Sequence, residues 1–153
     1  VGVGARASGS TRDSRKDIGY GIYDELDFDV ITETAGDVEA RIKVRIGEVA
    51  QSLKLVRQLI SKLRRNAETQ LAVELGELQQ EEGHFTWGIS ESARGDNLHC
   101  LLLDKEGRID RLFVRSASYP NWPALTVAVQ GDIIPDFPLI NKSFELCYAC
   151  IDR

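Results

Sequence analysis

Asp37-Val38-Glu39-Ala40-Arg41-Ile42-Lys43-Val44-Arg45-Ile46-Gly47-Glu48-Val49-Ala50-Gln51-Ser52-Leu53-Lys54-Leu55-Val56-Arg57-Gln58-Leu59-Ile60-Ser61-Lys62-Leu63 is the stretch whose period decides the fold. Ile42, Ile46, Val49, Leu53, Val56, Ile60 and Leu63 recur at spacings of four and three, so a helix over about residues 37–62 carries one continuous apolar stripe. Asp37 and Glu39 fall in its first turn and Lys62, Arg64 and Arg65 at its end, which suits both poles of the helix dipole. The seam must pack on something, either the rest of this chain or a portion outside it. The expectation is a core helix without a catalytic role.

Ahead of that helix, residues 1 to about 35 are rich in Gly, Ser, Arg and Asp, yet Tyr20, Tyr23 and the alternating Leu26-Asp27-Phe28-Asp29-Val30 are too apolar for a solvated tail. Ordered loop with short extended structure is expected there. Behind the helix, Arg64 to Glu82 is polar, with a short strand conceivable at Leu71–Leu75. Phe85–Ile89, Leu98–Leu103 and Ile109–Val114 read as three strands, the last two joined by Asp104-Lys105-Glu106-Gly107-Arg108, with glycine where positive φ is needed. Asn121-Trp122-Pro123 reads as a capped helix start, and Gly131 closes a helix of about two turns. Pro135 and Pro138 suggest an extended approach to the carboxyl end. No internal repeat is evident, so residues 1–153 are expected to form a single α+β unit: a long amphipathic helix packed with a small antiparallel sheet.

Composition excludes much. The chain has 153 residues, 42% hydrophobic and 28% charged, which fits a globular domain and not a collagen-like, disordered or purely coiled-coil chain. With 19 Lys and Arg against 24 Asp and Glu, the formal charge is −5, so no basic face for nucleic acid is expected. No apolar run approaches the roughly 20 residues of a membrane-spanning helix. Val1-Gly2-Val3-Gly4 has neither a cationic leader nor a long apolar core, so no signal peptide is expected. There is no Met, and the chain is therefore expected to be a piece of a longer protein.

Three cysteines are too few and too oddly placed for a secreted disulfide framework. Cys147-x-x-Cys150 is instead a two-thiolate chelate, because two intervening residues let both sulfurs converge on one metal ion. Cys100, His84 and His99 do not provide a second pair at a ligand spacing, so the choice lies between an incidental pair and half of a metal site. A thioredoxin-like role is disfavoured, since that motif opens a helix after a strand. Cys100, in an apolar strand, reads as a small core residue and the two histidines as isolated. Arg94, in Glu91-Ser92-Ala93-Arg94-Gly95, can project from a tight turn between two strands. Arg6, Arg12, Arg15 and Lys16 read as a solvated or subunit-facing patch, and Arg41, Lys43 and Arg45 as a helix face.

Several of these landmarks, in order, resemble one family. Arg6-Ala7-Ser8-Gly9, Asp13, Arg15, Tyr20, Tyr23, Phe28-Asp29-Val30, Gly36-Asp37 and Arg41 through Gln51-Ser52-Leu53 are similar to the large subunits shared by nickel-iron hydrogenases and the 49-kDa component of respiratory complex I. Glu91-Ser92-Ala93-Arg94-Gly95 resembles the family's Glu-Ala-Pro-Arg-Gly, Ser116 to Leu125 its Pro-Ser-Phe-x-Asn-Trp-x-Ala-Leu, and Asp136-Phe137-Pro138-Leu139 the approach to its terminal motif. The complex I branch ends in a sequence without cysteines, whereas Glu145-Leu146-Cys147-Tyr148-Ala149-Cys150-Ile151-Asp152-Arg153 keeps both thiols. That favours the membrane-associated, energy-converting branch, group 4 and formate-hydrogenlyase-like.

The resemblance implies a fragment of a larger, mainly helical subunit that catalyses reversible reduction of protons to H2. In it two Cys-x-x-Cys pairs hold a nickel-iron centre with CO and cyanide ligands. Cys147 and Cys150 would be the carboxyl-terminal pair, one a terminal ligand able to take a proton and the other bridging. Arg94, Glu145 and Cys150 would be the catalytic groups, with Arg94 over the open metal position and Glu145 acidic where the family usually has Asp. The implied partners are the missing amino-terminal part of the large subunit, an iron-sulfur small subunit whose clusters deliver electrons, and membrane subunits. The implied location is cytoplasmic, peripheral to the inner membrane. The chain ends three residues after Cys150, where the resemblance implies a maturation-protease cut, an artificially drawn boundary being the equal alternative. Leu146 replaces the family's Pro, the Pro before Arg94 is missing, and only two of four ligands are present, so the isolated chain is expected to be inactive and prone to self-association. A quinone-reducing protein like the 49-kDa component of NADH-quinone oxidoreductase and a non-catalytic assembly module are the alternatives.

Overall fold

The long helix dominates the computed structural model, which describes residues 1–65 and 85–150. In chain order the elements are α1 (Gly2–Arg6), α2 (Ser14–Asp17), α3 (Val38–Arg65), β1 (Phe85–Ser92), β2 (Gly95–Leu103), β3 (Ile109–Arg115), α4 (Trp122–Ala128) and α5 (Phe137–Phe144). The strands form one antiparallel sheet in the order β1-β2-β3. Long helix plus small antiparallel sheet is the α+β arrangement that the periodicities predict. Leu71–Leu75 and His84 lie outside the described residues.

The helix forms where expected, but its faces are inverted. Ile46, Val49, Leu53 and Leu63 of the apolar stripe are 55–67% exposed, and Ile42, Val56 and Ile60 also face outward. The buried positions of α3 are instead Ala40, Arg41, Val44 and Leu55. Ala40 and Val44 pack on Ala7 with Ile31, while Leu55 packs on Leu26 and Phe28 with Tyr23 and Leu59. Small residues on this face let α1 and the loop that follows approach closely. The stripe is therefore not a core seam within this chain.

Short helices replace the extended structure expected near the amino end. Asp13 adopts an extended backbone, and its carboxylate accepts from the Arg15 N–H, which starts α2 as a side-chain cap. The alternation at Leu26–Asp29 survives without a sheet: Leu26 and Phe28 are buried, while Asp27 and Asp29 are exposed. The Asp29 N–H donates to Gln51 Oε1 at 3.1 Å and the Asp27 N–H to Gln58 Oε1 at 2.9 Å, so α3 supplies the hydrogen bonds a partner strand would have given.

In the sheet, β1 and β2 meet at a two-residue turn, with Ser92 opposite Gly95 and Trp87 opposite Cys100. Cys100 is opposite Phe113 on its other side, and both aromatics are exposed, so Cys100 is half-buried between them and not a core residue. His99 is exposed. Gly107 takes φ 74° in the β2–β3 connection, as its turn requires.

Pro135 and Pro138 begin helical structure instead of interrupting it. Ile134–Asp136 is a 3₁₀ turn that runs into α5, and each proline occupies a first-turn position, where its missing N–H costs nothing. Asn121 does precede α4 but makes no capping bond; its side chain is used elsewhere. Leu125, Ile140, Phe144 and Leu146 form the third buried cluster, joined by Val38, Trp122, Ala128 and Val129. This cluster ties α4 and α5 to the start of α3.

Candidate functional site

Helix α5 ends by a left-handed step at Glu145, φ 56°, whose N–H bonds the Asn141 and Lys142 carbonyls. A side chain in that conformation carries backbone strain, and the step turns the chain so that Leu146 drops into the α4–α5 cluster. Cys147 follows at once. Leu146, which stands where the resemblance has proline, thus anchors the loop by burial.

The connection between β3 and α4 braces that loop through its backbone. The Cys147 N–H donates to Ser118 Oγ at 3.0 Å, and Ser116 Oγ donates to the Cys150 carbonyl at 3.2 Å. Tyr148, between the cysteines, packs against Trp122 with the rings tilted by 46° and their centroids 4.9 Å apart. Both thiols are free of disulfide bonds. Hydrogen bonds from the Cys150 thiol and the Cys150 backbone push the Cys147 thiol below its usual range, aided by the Arg94 charge and the Ala149 backbone and opposed by burial.

Arg94 lies on the β1–β2 turn, beside the cysteine loop. Its Nε donates to the Glu145 carbonyl, and its own carbonyl accepts from Asn121 Nδ2 at 3.1 Å. Asn121 Nδ2 also reaches the Ala117 carbonyl at 3.0 Å. The segment 116–121 therefore holds both the Arg94 turn and the cysteine loop. On the other side the turn rests against α1. A Cβ on Gly2 would fall 2.1 Å from the Arg94 carbonyl oxygen, and one on Gly95, φ 121°, would fall 2.7 Å from Val1 Cγ2, so both contacts require glycine.

The Glu145 carboxylate is engaged by cations of α3 and α5, pairing with Arg45 and, at 3.4 Å, with Lys142. Burial raises its pKa, but the bonds to Arg45 and Lys142 outweigh burial and hold it below the usual glutamate value. What Glu145 offers the site is its carbonyl, which seats Arg94. Arg45 is thus an ion-pair partner, and Arg41 is no surface residue either: it is buried, with Nε donating to Ser143 Oγ at 2.8 Å, Nη1 to the Gly36 carbonyl at 2.7 Å and its guanidinium 4.0 Å from the Phe144 ring centroid. Of the helix face expected from sequence only Lys43 is exposed.

The amino-terminal basic patch divides likewise. Arg12 and Lys16 are exposed, but Arg6 is 1% exposed. Its Nε donates to Glu48 at 2.6 Å and its Nη1 to Glu91 at 3.0 Å, with Asp13 at 3.6 Å. Glu91 also accepts from the Ser14 N–H at 3.1 Å, and its own N–H donates to the Tyr20 hydroxyl at 2.8 Å. This network fixes the base of the turn that carries Arg94. A cavity of about 260 Å³ extends from Arg6 and Glu48 past Ala93 to Glu145.

The structure thus gathers Arg94, Glu145, Cys147 and Cys150 from two distant stretches of chain. Sequence reading missed Ser116, Ser118, Asn121 and the buried Arg6 and Arg41. The only signal for them was their place inside ordered motifs. A metal needs deprotonated thiolates, and the lowered Cys147 thiol in a Cys-x-x-Cys loop fits a soft metal ion. Among the described residues no cluster of three or more His, Cys, Asp or Glu completes a ligand set. Cys147 and Cys150 alone do not complete a ligand set, since a tetrahedral soft-metal site takes about four donors.

Comparison with known proteins supplies the context. The sequence pattern of the respiratory-chain NADH dehydrogenase, 49 Kd subunit, family matches residues 1–83 and 70–153. Formate hydrogenlyase subunit 5 of Escherichia coli (strain K12) is 36% identical over all of this chain, which spans 26% of that protein. A D-type component of the NADH-quinone oxidoreductase of Salinispora tropica is also 36% identical, over 97% of this chain and 38% of its own length. Among solved structures, a chain of an archaeal membrane-bound sulfane sulfur reductase, described as a respiratory membrane complex, superimposes with a TM-score of 0.87 at 28% identity, covering all of this chain and 42% of that one.

Proposed function

Because the chain belongs to the family of the 49-kDa subunit of respiratory-chain NADH dehydrogenase, we propose that it is part of the catalytic large subunit of a membrane-associated, energy-converting nickel-iron hydrogenase. One observation carries this reading: a Cys-x-x-Cys loop whose backbone is held by Ser116 and Ser118 beside a seated arginine. The fold alone does not choose, since hydrogenase, quinone oxidoreductase and sulfur reductase relatives share it.

Cys147 and Cys150 would be the carboxyl-terminal pair of thiolates holding a nickel-iron centre, whose remaining ligands belong to the amino-terminal part of the large subunit. When bound, that centre supplies the two-electron chemistry of 2H+ + 2e− ⇌ H2. The chain's own residues hold and poise. Ser116 and Ser118 fix the loop backbone, so the two sulfurs keep their spacing without spending side-chain contacts. Arg94 places a permanent cation over the site, and because guanidinium does not titrate, it polarises without taking up a proton. A thiolate of the pair takes and releases the proton at Sγ. The partners in this proposal are an iron-sulfur small subunit that delivers electrons and membrane subunits, on the cytoplasmic side of the inner membrane. No described helix is long and apolar enough to cross a membrane.

The test uses the full-length large subunit purified with its partners. Nickel analysis should find the metal, infrared spectra should show iron-bound CO and cyanide bands, and Cys147→Ser or Cys150→Ser should remove both. Arg94→Lys should keep the bands but lower H2 turnover about 10²-fold. A second reading, a quinone-reducing protein with vestigial thiols, is favoured by the equal identity to an NADH-quinone oxidoreductase component and by Leu146. It predicts quinone-dependent turnover indifferent to both serine variants and a complex without nickel.

A further inference from the structure

Against the cavity beside the Arg94 turn lies an ion-pair cluster with a charge imbalance that the metal reading leaves unused; the cavity lining itself is balanced, Arg6, Arg15 and Arg45 against Glu48, Glu91 and Glu145. Three carboxylates, Asp13, Glu48 and Glu91, face two guanidinium groups, Arg6 and Arg15. Asp13 has both oxygens engaged by Arg15, at 2.6 and 2.9 Å. Glu91 has both engaged, by Arg6 at 3.0 Å and the Ser14 N–H at 3.1 Å. Glu48 has one partner among the described residues, Arg6, and it lines the cavity. In this largely but not fully buried cluster an excess of one negative charge is costly, and the carboxylate with the fewest donors is where a proton removes it most cheaply.

The surroundings agree. Burial pushes the Glu48 carboxyl above its ordinary value, the charge and bond of Arg6 and the charge of Arg15 opposing it and Asp13 adding to it. Arg6 faces Glu48 from α1, Arg15 from α2 and Glu91 from β1, with Asp13, which does not line the cavity, paired to Arg15 and Arg6; Tyr23, Arg45 and Glu145 complete the titratable and charged lining. At 260 Å³ the space accommodates several waters among polar partners. Its far end, at Ala93 and Glu145, adjoins the Arg94 seat.

We infer that Glu48 is a proton-exchanging carboxyl that passes protons between solvent and the Arg94–Cys147 site through this cavity. The inference rests on the hydrogenase reading for the destination of the protons. In the direction of H2 formation, the Glu48 carboxylic acid releases its proton into the cavity water toward the site and takes another from solvent. No electron passes through it, and two such transfers accompany each 2H+ + 2e− → H2.

The experiment is Glu48→Gln in the intact complex, read by H2 turnover, by the CO and cyanide bands, and by the infrared carboxylic-acid band as pH is varied. The expected result is about a 10²-fold loss of turnover with the CO and cyanide bands unchanged, partial recovery in Glu48→Asp, and loss of a carboxylic band that titrates above the ordinary glutamate range. Undiminished turnover, or no such band in the wild type, overturns the inference. If Glu48→Gln does not assemble, Ser52→Leu decides, because it plugs the cavity from an exposed position on α3: a several-fold loss with intact CO and cyanide bands supports the route, and no loss overturns it. A complex without nickel or CO and cyanide bands sinks the hydrogenase reading instead, while the carboxylic band still reports whether Glu48 holds a proton.

Discussion

The two faces of α3 contradict the usual division of a helix. The face turned inward carries Arg41 and Glu48 beside Ala40 and Val44, and it is satisfied by ion pairs and hydrogen bonds to residues far away in sequence. The face turned outward carries the apolar stripe, from Ile42 to Leu63, and meets water in this chain. A helix left with its apolar face bare is built to be covered by something else, whereas its charged face already meets partners from within the chain. The relatives are more than twice as long as this chain, which leaves ample protein to do the covering.

Breaking the inner face should have the largest effect. Arg6→Met removes the cation shared by Glu48, Glu91 and Asp13 and leaves buried carboxylates uncompensated. The expected cost is about 3–5 kcal/mol, enough to unfold a marginal domain. Denaturant unfolding of the purified protein measures it. A loss under about 1 kcal/mol would mean that the network is not structural.

The outer face should give the reverse pattern. Ile46→Glu with Leu53→Glu changes exposed positions, so the stability of this chain should move by no more than about 0.5 kcal/mol at each. Association should change far more, because each apolar side chain kept from burial forgoes about 1.5–3 kcal/mol. Sedimentation should show the wild-type chain self-associating at high concentration and the double variant monomeric. A strictly monomeric wild type would count against the stripe as a contact surface in this chain.

How far these faces were legible follows from what periodicity encodes. The spacing of Ile42, Ile46, Val49 and Leu53 marks a helix and its stripe, because both depend on local sequence, but it carries no information on who covers the stripe. The three strands and the turn at Arg94 were readable for the same local reason. Arg6 was not, because its burial depends on Glu48 and Glu91, 42 and 85 residues away. The cysteine pair was visible as spacing, yet the serines that hold it act by backbone contact 29 and 34 residues distant. Pro138 misled because the same residue ends one helix and opens another, and only the downstream turn decides which.

The inner face should also titrate in two opposite senses. The bonds from Arg15 outweigh burial and hold the Asp13 carboxyl below its ordinary value, so its contribution is present above the unfolded aspartate value and lost as pH falls through the folded one. Burial instead raises Glu48, which binds its proton more tightly folded than unfolded. Its contribution is therefore present at low pH and lost as pH rises from the ordinary glutamate value through the folded one. Denaturation as pH rises from the ordinary glutamate value should show a decline in stability in the wild type that is smaller in Glu48→Gln.

The smallest effect should come from the ion pair at the edge between the faces. Glu145 is one-third exposed, as is its partner Arg45, so Glu145→Gln should cost less than about 1 kcal/mol, and less still at high salt. Because bonds to Arg45 and Lys142 hold this carboxyl below its ordinary value, the contribution lost is one present above the unfolded glutamate value and absent in acid. Unfolding curves for wild type and variant should accordingly converge as pH falls through the folded value. Arg94 should keep its place, since it binds the carbonyl of residue 145 and not the carboxylate. Curves still separated in acid would assign Glu145 a role in the backbone turn itself, where the left-handed step, and not the charge, sets the course of the cysteine loop.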